Sequence, residues 1–312
     1  MIRKSSVYVS PLLTGISLAY RNEDYIAEKI MPTVFVNKDT AKIATYGMDN
    51  LRIEAALRAQ GSGANEVNHS VTIGDHYILQ DHALKEFVTK EEEDNADLPI
   101  APQTDATENL TDRMLVAKEK ELADTMANTS IVTRYVTLSG TDQWSDFTNS
   151  DPFDDIKTGM ESVRTYSGKM PNTFVMSYAV MMTLIVHPDI IARLPNVTVV
   201  TSGQVITALQ LAFPNIKNIF IGSAQYNSGV EGGTDTLADI WGKHFWIMYV
   251  EPRPTLKSRS FGFTYAKKGE QRKVKVLAYD EDKEGRFVRI NDKYDQKIVD
   301  TNCAYAIRSC IA

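Results

Sequence analysis

Five histidines, two cysteines and a few neighbouring carboxylates are the residues of this 312-residue chain whose types could carry chemistry. His76 and His82, beside Asp75 and Asp81, would face one side of a strand and suggest a metal. At ~3.3 Å per residue, however, the two imidazoles stand about 20 Å apart, too far to share an ion. Asp154 and Asp155 could act as general acid and base, but they follow Asp151-Pro152, where carboxylates favour the positive end of a helix dipole. His187 precedes Pro188 and reads as a helix-breaking or capping residue; His244 lies in an aromatic run with Phe245 and Trp246 and reads as core. Met181 and Met182 read as core filler, and Gly232-Gly233, flanked by Glu231 and Asp235, as a surface loop and not an anion cradle.

Cys303 and Cys310 would be about 24 Å apart in a strand or 10 Å in a helix, beyond the ~7 Å limit of a disulfide. Two free thiols suit a reducing compartment. The spacings of a phosphate loop, a dinucleotide fold, a nucleophile elbow, a zinc protease and a Cys-x-x-Cys pair are all missing. The residues therefore predict no catalytic, cofactor or metal site, and every one with chemical potential has a structural use nearby.

The elements that would position these residues come in an unusual order. Residues 1 to about 37 lack sustained periodicity and predict an extended arm with one amphipathic turn around Tyr25–Met31. Alternation at Ala41–Tyr46 and again at Val67, Val71 and Ile73 predicts a long hairpin whose tip holds Gly61-Ser62-Gly63. A second extended stretch, His76–Thr89, ends in Glu91-Glu92-Glu93-Asp94, read as a solvated loop. From Asp105 to about Thr129 there is neither Gly nor Pro, and Asp105–Glu108 fits a capping box. This predicts a helix with two thin apolar stripes, Leu110, Met114 and Ala117 on one side and Leu115, Leu122 and Met126 on another, suited to lying across a surface.

Helix–strand alternation between about 150 and 250 predicts a compact α/β unit. Its helices start at Asp151-Pro152, Tyr178 and Ser202, and its strands lie near 171–176, 216–221 and 244–250. Past Pro252 and Pro254 the pattern turns β-rich, with strands at Ser260–Ala266, Val274–Tyr279, Phe287–Ile290 and Ala304–Ile311. The balance of 34 Lys+Arg against 40 Asp+Glu gives −6, the wrong sign for gripping a nucleic acid over the whole surface. Arg3 and Lys4 precede a mildly apolar stretch interrupted by Pro11, Thr14 and Gly15, so no export signal is expected, and the four Asn-x-Ser/Thr sites read as chance. The longest apolar run, Val180–Val186, is far short of a membrane span.

Three stretches carry a resemblance. They are Ala19-Tyr20-Arg21-Asn22-Glu23-Asp24-Tyr25-Ile26-Ala27-Glu28-Lys29-Ile30-Met31-Pro32, then Trp144-Ser145-Asp146 through Asn149-Ser150-Asp151-Pro152, and Pro171-Asn172-Thr173 with His187-Pro188-Asp189-Ile190. With the order of arm, glycine-tipped hairpin, striped helix, α/β unit and β-rich return, the chain resembles the major capsid proteins of tailed bacteriophages from about residue 15 to beyond 250.

The resemblance implies an α+β, Hong Kong 97-type capsid fold. Its parts would be an N-terminal arm (1–39), an extended loop (40–75), a peripheral domain (76–149) with a spine helix at 105–129, an axial domain (150–250) and return strands (251–312). It implies a structural head protein, not an enzyme, that assembles in the host cytoplasm as hexamers and pentamers into the icosahedral shell of a virion. Its partners would be copies of itself and scaffolding, decoration and portal proteins. Double-stranded DNA would be enclosed without sequence-specific binding, and neither a membrane nor a cofactor would take part. Some members carry an N-terminal scaffolding segment; no long charged helical prefix is seen here, so none of that kind is expected. An encapsulin-like compartment shell has the same fold with another cargo, and an enzyme of undetected chemistry is the remaining alternative. Contacts between subunits are expected at Gly61 and Gly63, at Glu91, Glu92 and Glu93, and at Arg253, Lys257 and Arg259.

Overall fold

The chain opens with a short strand, β1 (Tyr8–Val9), and a helix that its periodicity does not predict, α1 (Pro11–Ala19). The helix starts for a local reason: Ser10 Oγ accepts from the Leu13 N–H at 3.3 Å, and Pro11 fills the first position, where no N–H is needed. One turn, α2 (Ala27–Ile30), precedes β2 (Thr33–Val36); the expected hairpin follows as β3 (Thr40–Tyr46) antiparallel to β4 (Val71–Ile78). Next come β5 (Gln80–Thr89), α3 (Lys90–Asn95) and the long helix α4 (Pro102–Ala127). The computed structural model describes all residues except 1–7, 21, 23, 47, 49–51, 54, 55, 59, 62, 65, 67–70, 97–100, 195–199, 231, 256 and 257. Arg3, Lys4, Ser62, Val67, Glu231 and Lys257, and the Asn-x-Ser/Thr sites at 68–70 and 196–198, lie outside the described residues.

The middle of the chain supplies β6 (Tyr135–Thr137), α5 (Pro152–Ser167), β7 (Thr173–Ser177), α6 (Tyr178–Val186), α7 (Pro188–Ala192), α8 (Ser202–Ala212), β8 (Asn218–Gly222), the hairpin β9 (Gln225–Asn227) and β10 (Leu237–Asp239), and β11 (Phe245–Met248). The last quarter adds β12 (Gly262–Lys267), β13 (Lys273–Val276), β14 (Gly285–Ile298) and β15 (Ala304–Arg308). The predicted start at Asp151 holds: its carboxylate accepts from the N–H groups of Phe153 and Asp154, and Gly168 ends α5 at φ 67°. His187 both ends α6 and caps α7, its Nδ1 accepting from the Asp189 N–H at 3.3 Å.

A five-stranded sheet runs β6-β15-β11-β7-β8, with the strand nearest the C-terminus in its interior. It is buried on both faces. Phe174, Met176, Phe245 and Ile247 pack against Ile156, Val163, Leu184 and Leu209 of the helices; Val175, Trp246 and Met248 pack on the other side against Trp241, Leu122 and Met126. Gly159 lets α5 approach closely, since a Cβ there would lie 2.5 Å from Ile247 Cδ1. The second sheet runs β1-β13-β14-β12-β2, with β5 also paired to β14. β14, 14 residues long, is far longer than the four-residue strand its sequence suggests.

α4 joins the two sheets. Ala106, Leu110 and Met114 in its first half pack on Val88, Val274, Val288 and Ile290 of the second sheet, while Leu122, Ala123 and Met126 pack beneath the first. Its 26 residues span about 39 Å at ~1.5 Å each. Three expectations for this helix need correction. It begins at Pro102, one turn before the Asp105 capping box, because proline supplies the first position. Ala117 is exposed, and Leu115 is only half-buried, lining a cleft of about 340 Å³ with Tyr25, Glu28, Lys118 and Arg272.

The histidine pair is corrected too. The chain breaks at Leu79, so His76 and His82 lie on successive strands of different sheets. His82 stacks on Tyr294 at 4.3 Å, and His76 lies 3.3 Å from Asp75. Among the described residues no group of three or more metal-type ligands forms, and no helix is long and apolar enough to cross a membrane. Both cysteines are free and buried.

Candidate assembly surface

The loop of the β3–β4 ribbon carries the two most exposed large apolar side chains among the described residues. Beyond the paired strands, Ile53 and Leu57 are 99% and 95% exposed, and Gly61, with φ 86°, and Gly63 are exposed at the tip. Both large apolar side chains are free to meet another chain.

The ribbon base, by contrast, is held firmly. Asp39 lies between Lys267 at 2.7 Å and Lys293 at 2.8 Å, and Asp75 pairs with Lys297 at 2.6 Å. Hydrogen bonds from these ammonium groups hold both carboxyls below their usual range. The Ile78 N–H donates to Asp295 at 2.9 Å, and Tyr77 stacks on Tyr265 at 4.6 Å. A rigid root and an exposed tip make the ribbon a reach element.

The N-terminal segment is fixed by a buried polar cluster that the sequence reading missed. Glu119 is fully buried, and its carboxylate accepts from the N–H groups of Ile26 and Ala27 and from Trp241 Nε1 at 2.7 Å. Desolvation raises its pKa; those donors and the neighbouring Lys118 oppose the rise. Lys118, 4% exposed, pairs with Glu28 at 2.9 Å and lies over the Tyr294 ring. The available signal was spacing: Leu110, Met114, Lys118 and Leu122 follow each other at i+4, which puts a lysine in the apolar stripe.

The predicted charged contacts fare unevenly. Glu91, Glu92 and Glu93 lie on the short helix α3 and not in a loop, because Thr89 Oγ1 accepts from the Glu92 N–H while Glu92 accepts from the Thr89 N–H. Glu93 also accepts from Gln103 Nε2 at 2.6 Å. All three carry their charge at the surface end of the second sheet, where the Lys90 N–H reaches Glu284 C=O. Arg253 is exposed on the loop after β11. Within the subunit the Arg259 guanidinium pairs with Asp300. No ion pair among the described residues joins α3 to Arg253, so the structure does not bring these groups together within one chain.

No protein-family model matches this chain. It is 27% identical over 306 residues to a major capsid protein of Burkholderia phage BcepMu, covering 96% of this chain and 95% of the relative. It is 30% identical over 260 residues to a major capsid protein of Pseudomonas phage JBD67, covering 82% of each. The chain belongs to the bacteriophage major capsid proteins. A crystal structure of a phage-related protein from Bordetella bronchiseptica RB50 superposes on this major capsid protein with a TM-score of 0.78 at 24% identity over 98% of both chains. A capsid of cyanophage P-SCSP1u gives 0.57 at 10% identity, over 93% of this chain and 89% of that one. An encapsulin of Synechococcus elongatus gives 0.54 at 12%, over 90% and 85%. The fold is thus the Hong Kong 97 type, and the capsid protein assembles with copies of itself into the shell of a virion.

Proposed function

We propose that this capsid subunit forms hexamers and pentamers that close into an icosahedral shell around double-stranded DNA. The 30% identity to a phage major capsid protein across four-fifths of the chain carries this reading. In this assignment residues 1–39 are the N-terminal arm, 40–75 the extended loop, 76–149 the peripheral domain around α4, 150–250 the axial domain and 251–312 the return strands. Support comes from the ribbon: its exposed apolar tip needs a neighbour, and its ionic root fixes the direction in which it reaches. Gly61, Gly63, Glu91, Glu92, Glu93, Arg253, the lysine at 257 and Arg259 are the proposed contact residues; Arg259 also pairs with Asp300 inside its own subunit.

The subunit catalyses no reaction in this reading. Among the described residues, His187 caps a helix, His244 Nδ1 accepts from the Ser309 N–H, and both thiols are buried with raised pKa values. An acidic wall, net −6, lets packaged DNA slide instead of holding it. Assembly takes place in the host cytoplasm with scaffolding and portal proteins as partners.

Electron microscopy of the expressed chain tests this. Closed particles with five- and six-membered capsomers are expected. Discrete small oligomers under all assembly conditions would overturn the reading, and native particles filled with a protein cargo and no DNA would favour the compartment shell instead.

A further inference from the structure

β14 occupies one edge of β5, and among the described residues no strand occupies the other. Among the described residues, the backbone of 80–86 makes no hydrogen bond outside that ladder. Gln80, Asp81, Ala83, Leu84 and Lys85 are all exposed. An open edge along residues 80–86, without a proline or a bulge, is a template for pairing with another chain, and soluble proteins ordinarily protect such edges.

The edge's own sequence selects its occupant. Asp81 and Lys85 are the charged residues on the face that also presents Ala83, and neither has an ion-pair partner among the described residues. Asp81 accepts only from the uncharged Asn291 amide, at 3.1 and 3.3 Å, and Lys85 Nζ lies 4.4 Å over the Phe287 ring. In an antiparallel pair of two identical strands centred on Ala83, Asp81 of each copy falls opposite Lys85 of the other. A lysine that would guard the edge against other strands here becomes half of two symmetry-related ion pairs. A one-residue slip turns side chains to the wrong face, and a two-residue slip puts Lys85 opposite Leu79 or Ala83 instead of a carboxylate.

We propose that the outer edge of β5 pairs antiparallel with the same edge of a second copy, across a two-fold axis at Ala83. This rests on the self-assembly reading and assigns it one symmetric contact. Such an isologous contact closes on itself, linking subunits in pairs without running on into fibres.

Ala83→Cys tests it in assembled particles. Residues facing each other across an antiparallel pair have Cα atoms about 4.5–5.5 Å apart, within disulfide reach, and the two native thiols are buried. Oxidised Ala83→Cys particles should run as covalent dimers on non-reducing gels. Gln80→Cys should not, because two copies of that position lie about 20 Å apart at ~3.4 Å per residue. Independently, Asp81→Lys and Lys85→Asp should each weaken assembly about tenfold, and the double variant should restore it to nearly the wild-type level. Particles that form while Ala83→Cys stays monomeric would overturn the proposal, as would a double variant no better than the single ones; if Ala83→Cys subunits fail to assemble, the charge swap decides. Failure of the wild-type chain to form particles is a different result and strikes the self-assembly reading itself.

Discussion

The indole N–H of Trp241 and the carboxylate of Glu119 meet at 2.7 Å across 122 positions of sequence. With the Ile26 and Ala27 N–H groups on the same carboxylate, one buried side chain ties the N-terminal segment, α4 and the turn before β11 together. Glu119→Ala leaves three buried donors unsatisfied, each worth about 1–3 kcal/mol. The expected loss in chemical denaturation is at least 3 kcal/mol, approximately, with a smaller loss for Glu119→Gln, whose amide oxygen still accepts. Equal stability of Glu119→Ala and wild type would mean the donors find water.

Leu122 and Leu115 lie on the same helix in different surroundings. Leu122 is wholly buried between α4 and the five-stranded sheet, so Leu122→Ala should cost about 2–5 kcal/mol. Leu115, at the rim of a cleft, should cost less than about 2 kcal/mol when shortened in the same way. Thermal melts of the two variants should therefore separate; if they coincide, the burial ranking is wrong.

Acidification should act through His187. Burial holds its imidazole below the ordinary value of 6.5, where it remains neutral, accepting from the Asp189 N–H and bonded to Ser150 Oγ at 3.0 Å. As pH falls below the ordinary value, the unfolded chain binds a proton that the folded chain still refuses, so stability falls with pH. His187→Gln should make the stability curve flatter between about pH 6.5 and 5, with a residual slope from His244, which burial lowers as well. An unchanged slope in that window would place the titrating group elsewhere.

The acidic turn α3 offers a test by salt. Replacing Glu91, Glu92 and Glu93 with Gln keeps the Thr89 capping pattern, since Gln also serves there, and removes three surface charges. Light scattering should then show an assembly rate less sensitive to salt between low and physiological ionic strength, where the Debye length shortens to about 8 Å. Identical salt curves for variant and wild type would leave α3 as a solvated helix with no role in steering.

How legible these features were depended on how local their causes are. Asp151-Pro152 announces α5, His187-Pro188 divides α6 from α7, and alternation marks the ribbon, because caps, prolines and strand period act over a few residues. The α1 start at Ser10-Pro11 was written just as locally, but no apolar period follows it to draw the eye. The sequence suggests only four residues of β14 because its second half, Asn291–Ile298, is polar at nearly every position; pairing with β12 and β5 extends it regardless. The arm anchor was invisible for a related reason. Glu119 looks like any surface glutamate until Trp241 and the Ile26 backbone are brought beside it.

β14 also sets a schedule for synthesis. Asn291 on β14 bonds Asp81 on β5 from 210 positions away, so β5 remains without its ladder until nearly the whole chain has left the ribosome. High contact order slows folding, and in a protein made to polymerise the delay has a use. A nascent or truncated chain lacks the strand that aligns β5, β12 and β13, and therefore displays no finished edge to a neighbour. That edge exists only once the chain is complete through β14.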